Sequence, residues 1–186
     1  MFLSNISVVF ACFACLQLVL VETKVVIIFY NEINDCEDFC KGDECFDFYD
    51  LSTMKIISDE EDETVAYLNG TWKFNTDVKS PEKALAWAEK RHGSKWSTEA
   101  FYRRYNDACE GFRNPLDPVY LFFKGKQGCP HKKGDSISWN MHKMVFPPTI
   151  AASFVGEWRA NIAVERVIDG KLRKQCKFFR YDIHDE

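Results

Sequence analysis

Apolar and polar side chains alternate along several stretches of the chain, and a period of two is the signature of a half-buried β-strand. Between Ala66 and Phe74, the residues Leu68, Gly70, Trp72 and Phe74 fall on one face, and Tyr67, Asn69, Thr71 and Lys73 on the other. Between Gly156 and Glu165 the alternation is cleaner. Trp158, Ala160, Ile162 and Val164 point one way, and Glu157, Arg159, Asn161 and Glu165 the other. Ile168-Asp169-Gly170 then supplies a turn, and Lys174 to Asp182 returns as the second strand of a hairpin. Val25 to Tyr30 is a β-branched and aromatic run with high strand propensity. Asp47 to Ile57 and Ser136 to Met141 are further strand candidates.

Two segments read as helical on local signals. Ser80 is an N-cap residue, Pro81 suits the first helical position, and the alanines that follow up to Lys90 favour helix. Against this, Leu85 and Trp87 share a strand face, and Arg91 to Lys95 resembles a hairpin turn into Trp96. Glu99 to Phe112 also has helical character. Pro115, Pro118 and the stretch from Lys124 to Gly134 make the middle of the chain rich in loops. Asp59 to Glu63 is a run of five acids, expected at a solvated hairpin tip. A calcium loop would space its oxygens and include a turn glycine.

The beginning of the chain changes the setting. Met1 to Val21 is almost wholly apolar, and the first charged side chain is Glu22. A secretory signal over residues 1–23 is expected, followed by a single domain over 24–186, with an uncleaved anchor as the alternative. Beyond that segment lie Cys36, Cys40, Cys45, Cys109, Cys129 and Cys176. An even number of cysteines in a secreted chain reads as disulfides, although six of them allow fifteen connectivities. Zinc at Cys36, Cys40 and Cys45 would need a second Cys/His couple, and the sequence offers none. Asn69-Gly70-Thr71 is an N-glycosylation sequon on the polar face of its strand.

Composition narrows the function classes. At 46% hydrophobic and 28% charged, the 186 residues are not a disordered chain. A net charge of −4 gives no electrostatic reason to expect nucleic acid. Aromatic residues at 15% are enough to fill a large core or to line an apolar cavity. No nucleophile elbow, phosphate loop or dinucleotide glycine pattern occurs, and no two of the four histidines have helix-face ligand spacing. His184-Asp185-Glu186 lacks the Pro-Cys-x-x-Cys that a zinc deaminase requires. No enzymatic activity, cofactor or metal is therefore expected. Lys124, Lys126, His131, Lys132 and Lys133 cluster around Cys129-Pro130. They form either a plain solvated loop or a contact with anionic lipid headgroups or a receptor, the partner contact resting on the four lysines.

The order of motifs in the second half carries a resemblance. Cys129-Pro130-His131-Lys132-Lys133-Gly134 is followed by Val145-Phe146-Pro147-Pro148. Gly156-Glu157-Trp158-Arg159 then opens a long strand, and Gly170-Lys171 leads on to Cys176. With Cys109 ahead of the Cys-Pro motif and a sequon on an early strand, the chain resembles the ML lipid-recognition family. The likeness is to its ganglioside-activator-like branch, in particular its secreted insect members, some of them chemosensory. It runs over roughly residues 45–183 and is strongest from Cys129 to Asp182. The acidic run and the dense early cysteines depart from it.

The resemblance implies an all-β, immunoglobulin-like β-sandwich or β-cup with a short helical or loop-rich middle segment. It implies a lipid or other hydrophobic small molecule held between two splayed sheets, and no catalysis. It makes Leu85 to Lys90 a strand, against the local helix signals. It links one of Cys36, Cys40 and Cys45 to Cys176, joins Cys109 to Cys129, and leaves the other two to pair locally. On this view Trp72, Phe74, Trp87, Trp139, Phe154, Trp158 and Ile162 are the expected wall of the ligand site. The competing reading is an extracellular interaction module, stapled by disulfides, whose aromatics fill a solid core.

Overall fold

The computed structural model describes residues 22–36, 38–117, 120, 126, 129–146 and 149–185. Its strands form two antiparallel sheets, so the chain is an all-β sandwich. The larger sheet is built, in spatial order, from β6 (Lys95–Tyr105), β5 (Ala84–His92), β9 (Gly156–Ile168), β10 (Lys171–Asp185), β1 (Glu22–Asp35) and β8 (Thr149–Ala151). The smaller sheet centres on β4 (Val65–Phe74). β7 (Ser136–Val145) flanks it on one side, and the short β2 (Tyr49–Asp50) and β3 (Lys55–Ser58) follow each other along the opposite side.

The alternating segments become the strands that hold the sandwich. β9 and β10 pair without interruption from Lys171↔Ile168 to Ile183↔Gly156. Asp169 and Gly170 both take positive φ, 50° and 75°, the conformation a tight Asp-Gly hairpin turn demands. The acidic run caps the β3–β4 hairpin as expected. Asp59 Oδ1 accepts from the amides of Glu61 and Asp62, and Asp62 Oδ1 from Thr64, which ties the tip locally.

The local helix signals fail in the first segment and hold only at the end of the second. Ala84 to His92 is strand β5, paired with β6 on one side and β9 on the other. Its alanines are chosen for size: Ala84, Ala86 and Ala88 point inward at alternate positions and are all buried. Tertiary pairing overrides their helix propensity. Between 99 and 112, β6 runs on to Tyr105, and only α1 (Ala108–Gly111) is helical. Asp107 caps it by accepting from the Cys109 amide at 3.0 Å.

Gly70 has a requirement of its own. Its φ is +121°, and a Cβ there would sit 2.2 Å from the carbonyl oxygen of Thr53. The β2–β3 connection lies directly over this glycine. Thr53 Oγ1 accepts from the Thr71 amide and donates to the Thr71 carbonyl. That close approach sets Leu51 and Met54 against the sandwich interior, both buried.

Three disulfides cross-link the fold: Cys36–Cys176, Cys40–Cys45 and Cys109–Cys129. This is the pairing the resemblance implied. The chain after β1 crosses the outer face of the larger sheet. There Cys36 Sγ lies 3.9 Å from Asn161 Oδ1, and the ring of Phe39 packs 6.0 Å from that of Trp87. The expected signal falls outside the described residues up to 21. Glu22 and Thr23, the last two residues of the expected signal, open β1 and pair with Ala151 and Ile150 of β8.

Candidate functional site: a cavity between the sheets

A cavity of about 290 Å³ lies between the two sheets. Its origin is a mismatch of side-chain size. The larger sheet offers Ala86, Ala88 and Ala160 to the interior, while the smaller sheet and its loop answer with Leu51, Met54, Ile56, Leu68, Trp72 and Trp139. Facing sheets lie about 10 Å apart, and an alanine wall leaves part of that gap unfilled. Phe101, Phe179, Tyr181 and Ile33 close the remaining sides. Burial alone pushes the Tyr181 phenol up to about 12, as expected where its charged form would meet an apolar chamber.

Both ends of the sandwich are plugged. Along β9 the inward residues in order are Trp158, Ala160, Ile162, Val164 and Arg166, and only Ala160 and Ile162 of these line the cavity. Beyond Ala160, Trp158 packs with Ile27, Ala88 and Ile183 in a small solid cluster. Beyond Val164, Arg166 lies 4.6 Å above the ring of Phe48. Its Nε donates to Glu82 Oε1 at 2.9 Å, its Nη2 to the Tyr49 hydroxyl at 2.7 Å, and its Nη1 to Thr76 Oγ1 at 2.5 Å. Tyr49 in turn donates to Glu82 Oε1 at 2.8 Å. Burial and the neighbouring Glu82 carboxylate raise the Tyr49 phenol far above its usual range. Gln175 extends this polar lock, accepting from the Tyr49 amide and donating to its carbonyl.

Of the seven expected wall residues, Trp72, Trp87, Trp139 and Ile162 line the cavity. Trp72 and Trp139 face each other across the β4–β7 pair with ring centroids 6.4 Å apart. The strand pleat turns Trp87 to the outer face with Phe39, so it meets the cavity along backbone left uncovered by its alanine neighbours. The other three lie outside this lining. Phe74 is core, stacked on His131 at 4.1 Å and on Trp72 at 6.1 Å. Trp158 belongs to the solid end cluster, its Nε1 donating to the Phe154 carbonyl at 2.6 Å. Phe154 is partly exposed and stacks on Trp158.

Two further expectations change. Asn161, on the polar face of its strand, is buried, with Cys36 Sγ packed 3.9 Å from its Oδ1. Its Nδ2 donates to the Trp87 carbonyl at 3.3 Å and to Glu89 Oε2 at 2.9 Å. His131 leaves the basic cluster: it is buried against Phe74 and bridges Val78 by backbone hydrogen bonds. Lys132 and Lys133 remain exposed. Lys126 donates to the Ser138 carbonyl at 2.7 Å and lies 5.9 Å from the Trp139 ring. Lys124 is outside the described residues. Asn69, the sequon residue, is partly exposed on β4, and its Oδ1 accepts from the Met141 amide at 3.4 Å.

Sequence reasoning missed the alanines and Lys177, a lining residue on β10. The signal for the alanines was present in Ala84-x-Ala86-x-Ala88, where small residues recur with strand periodicity. Among the described residues, no group of three or more histidine, cysteine or acidic side chains converges to hold a metal. No protein-family model matches the sequence, and no curated protein matches it.

Proposed function

We propose that this chain is a secreted, non-catalytic binding protein that holds a hydrophobic small molecule, a lipid chain or hydrocarbon, between its two sheets. The observation that carries the reading is the cavity of about 290 Å³, walled almost entirely by aliphatic and aromatic side chains. Small-molecule sites begin near this size, at roughly 300 Å³. An engineered apolar cavity about half as large, roughly 150 Å³, stays dry and takes up benzene. At about 30 Å³ for each water-sized group, the space accepts a single chain on the order of ten carbons. Several chains together would need the sheets to splay further.

The three disulfides support an oxidising compartment, and with the apolar N-terminal run they support secretion. A glycan on Asn69 belongs to the same reading. So does the likeness to the ganglioside-activator-like branch, with a carrier or chemosensory role for the bound molecule. Contact of Lys126, Lys132 and Lys133 with an anionic membrane or a receptor would bring the protein to its cargo. The cavity between Ala160 and Trp139 favours this reading over an interaction module with a solid core.

Native mass spectrometry of the purified protein, with and without added lipid, tests the proposal. A mass shift of a few hundred daltons that denaturation removes is expected. Absence of any bound species, both as purified and after addition of single-chain lipids, would refute it.

A further inference from the structure

Among the described residues that line the cavity, one carries a charge. Lys177 lies on β10, and its register partners are Ile162 of β9 and Asp35 of β1. Ile162 in turn pairs with Ala86. Directly paired residues share a face, so Lys177 projects from the inner face of the sheet, in the same row as two apolar wall residues. A lysine there departs from the apolar Ile162 and Ala86 on one side and meets Asp35 on the other.

Its surroundings show where the charge goes. The Lys177 side chain is 17% exposed, and its Nζ lies 2.6 Å from Asp35 Oδ1, whose own side chain is 73% exposed. The methylene stem therefore covers the wall while the ammonium reaches the point where the cavity meets solvent. Asp50 is a further acid within electrostatic reach of Lys177, and it also approaches Lys73, at 4.0 Å. A pair with one largely solvated partner is weak. An ammonium carries three donors, and Asp35 approaches from the solvent side. An anion at the head of a bound chain would meet the same nitrogen from the apolar side, where the lower dielectric strengthens the contact.

The length fits as well. Lys177 and Tyr181 both line the cavity, four residues apart on β10, which is about 13 Å at strand spacing. We infer that the ligand is a single-chain anionic amphiphile, such as a medium-chain fatty acid, with its headgroup on Lys177 and its tail along the wall between Ala160 and Trp139. This inference rests on the proposed function and specifies the chemical class of its ligand.

The test is a calorimetric titration of the disulfide-bonded protein with decanoate and with 1-decanol at about pH 7.5, where the acid is ionised. The two probes share a tail and differ in headgroup charge. The native protein is expected to bind decanoate on the order of tenfold more tightly, the worth of one charge-assisted contact. Lys177→Met, which keeps the apolar stem, is expected to bind both probes alike, and Lys177→Gln serves as a second neutral variant. Equal binding of the two probes by the native protein overturns the inference and leaves the apolar site standing. So does a preference for decanoate that survives both substitutions. Failure of the native protein to bind either probe overturns the apolar site itself.

Discussion

The guanidinium of Arg166 and the carboxylate of Glu82, 84 residues apart in sequence, meet inside one end of the sandwich at 2.9 Å from Nε to Oε1. Their side chains are 15% and 7% exposed. Every arm of the guanidinium has an acceptor among Glu82, Tyr49, Thr76 and the Asp77 carbonyl. The lock therefore satisfies its charges and closes the end of the hollow.

Removing one partner strands the other in a buried site. Arg166→Met or Glu82→Gln is expected to lower unfolding stability by about 3–5 kcal/mol. The double variant should lose less than the sum of the two. Denaturant midpoints around the cycle measure this, and additive losses would show that the pair is not coupled.

The same lock holds a phenol that resists ionisation. Burial is the first cause of the raised values of Tyr49, Tyr105 and Tyr181. Hydrogen bonding to Asp117 adds to the rise at Tyr105. In the unfolded chain these groups give up their protons near pH 10, whereas in the folded chain they hold them. The stability these three phenols contribute is therefore present in full below about pH 10 and is lost as the pH climbs toward 12. Absorbance of the phenolate should show these three of the seven tyrosines titrating only as the chain unfolds. Ionisation of these three near pH 10 in the still-folded protein would contradict the burial.

The disulfides should differ in worth. Chain entropy assigns about 5 kcal/mol to Cys36–Cys176, about 3 to Cys109–Cys129 and about 2 to Cys40–Cys45, following sequence separations of 140, 20 and 5. Paired cysteine-to-alanine variants, compared by denaturant midpoint, should rank in that order. A small loss from the Cys36–Cys176 pair would mean that β1 is held to β10 by its hydrogen bonds alone.

Gly70→Ala combines an unfavourable φ with a clash against the Thr53 carbonyl, whereas Gly134→Ala, at φ +93° with nothing near, meets strain alone. Strain of this kind costs about 1–3 kcal/mol, and the Gly70 variant should exceed the Gly134 variant by a clear margin. Because the displaced loop carries Leu51 and Met54, it should also weaken ligand uptake. Thermal midpoints and binding of a single-chain probe check both effects, and equal losses at the two glycines would contradict the close approach.

Much of the architecture was legible in the chain because solvent sits on one side of most strands. The alternation around Trp72 and Trp158 and the Asp-Gly turn depend on local rules, and each appears where those rules place it. β5 did not yield to them, because Ala84 to Ala88 is a good helix on its own and becomes a strand only when β6 and β9 offer two sets of hydrogen bonds. The candidate site was half legible for a related reason. Large rings announce an interior, and Trp72 and Trp139 were found by that signal. A cavity is made by what is missing, however, and it was the small side chains of Ala86, Ala88 and Ala160 that decided its position. Trp158 and Phe74 carry the same ring signal yet fill solid core, since nothing in a strand pattern says whether the opposite sheet leaves a gap. Lys177 was hidden because its inward direction follows from its register with Ile162 and Asp35, a long-range relation.

Whether the hollow itself is the binding site is tested most directly by filling it. Ala160 lies on the wall opposite Trp139, and Ala160→Phe puts a ring into the space without crowding existing core. Binding of 1-decanol, followed by calorimetry on native and variant protein, should weaken at least about tenfold in the variant. Its thermal midpoint should stay level or rise, because the new ring replaces missing contacts. Undiminished binding by a folded Ala160→Phe protein would place the ligand elsewhere and contradict a site between the sheets.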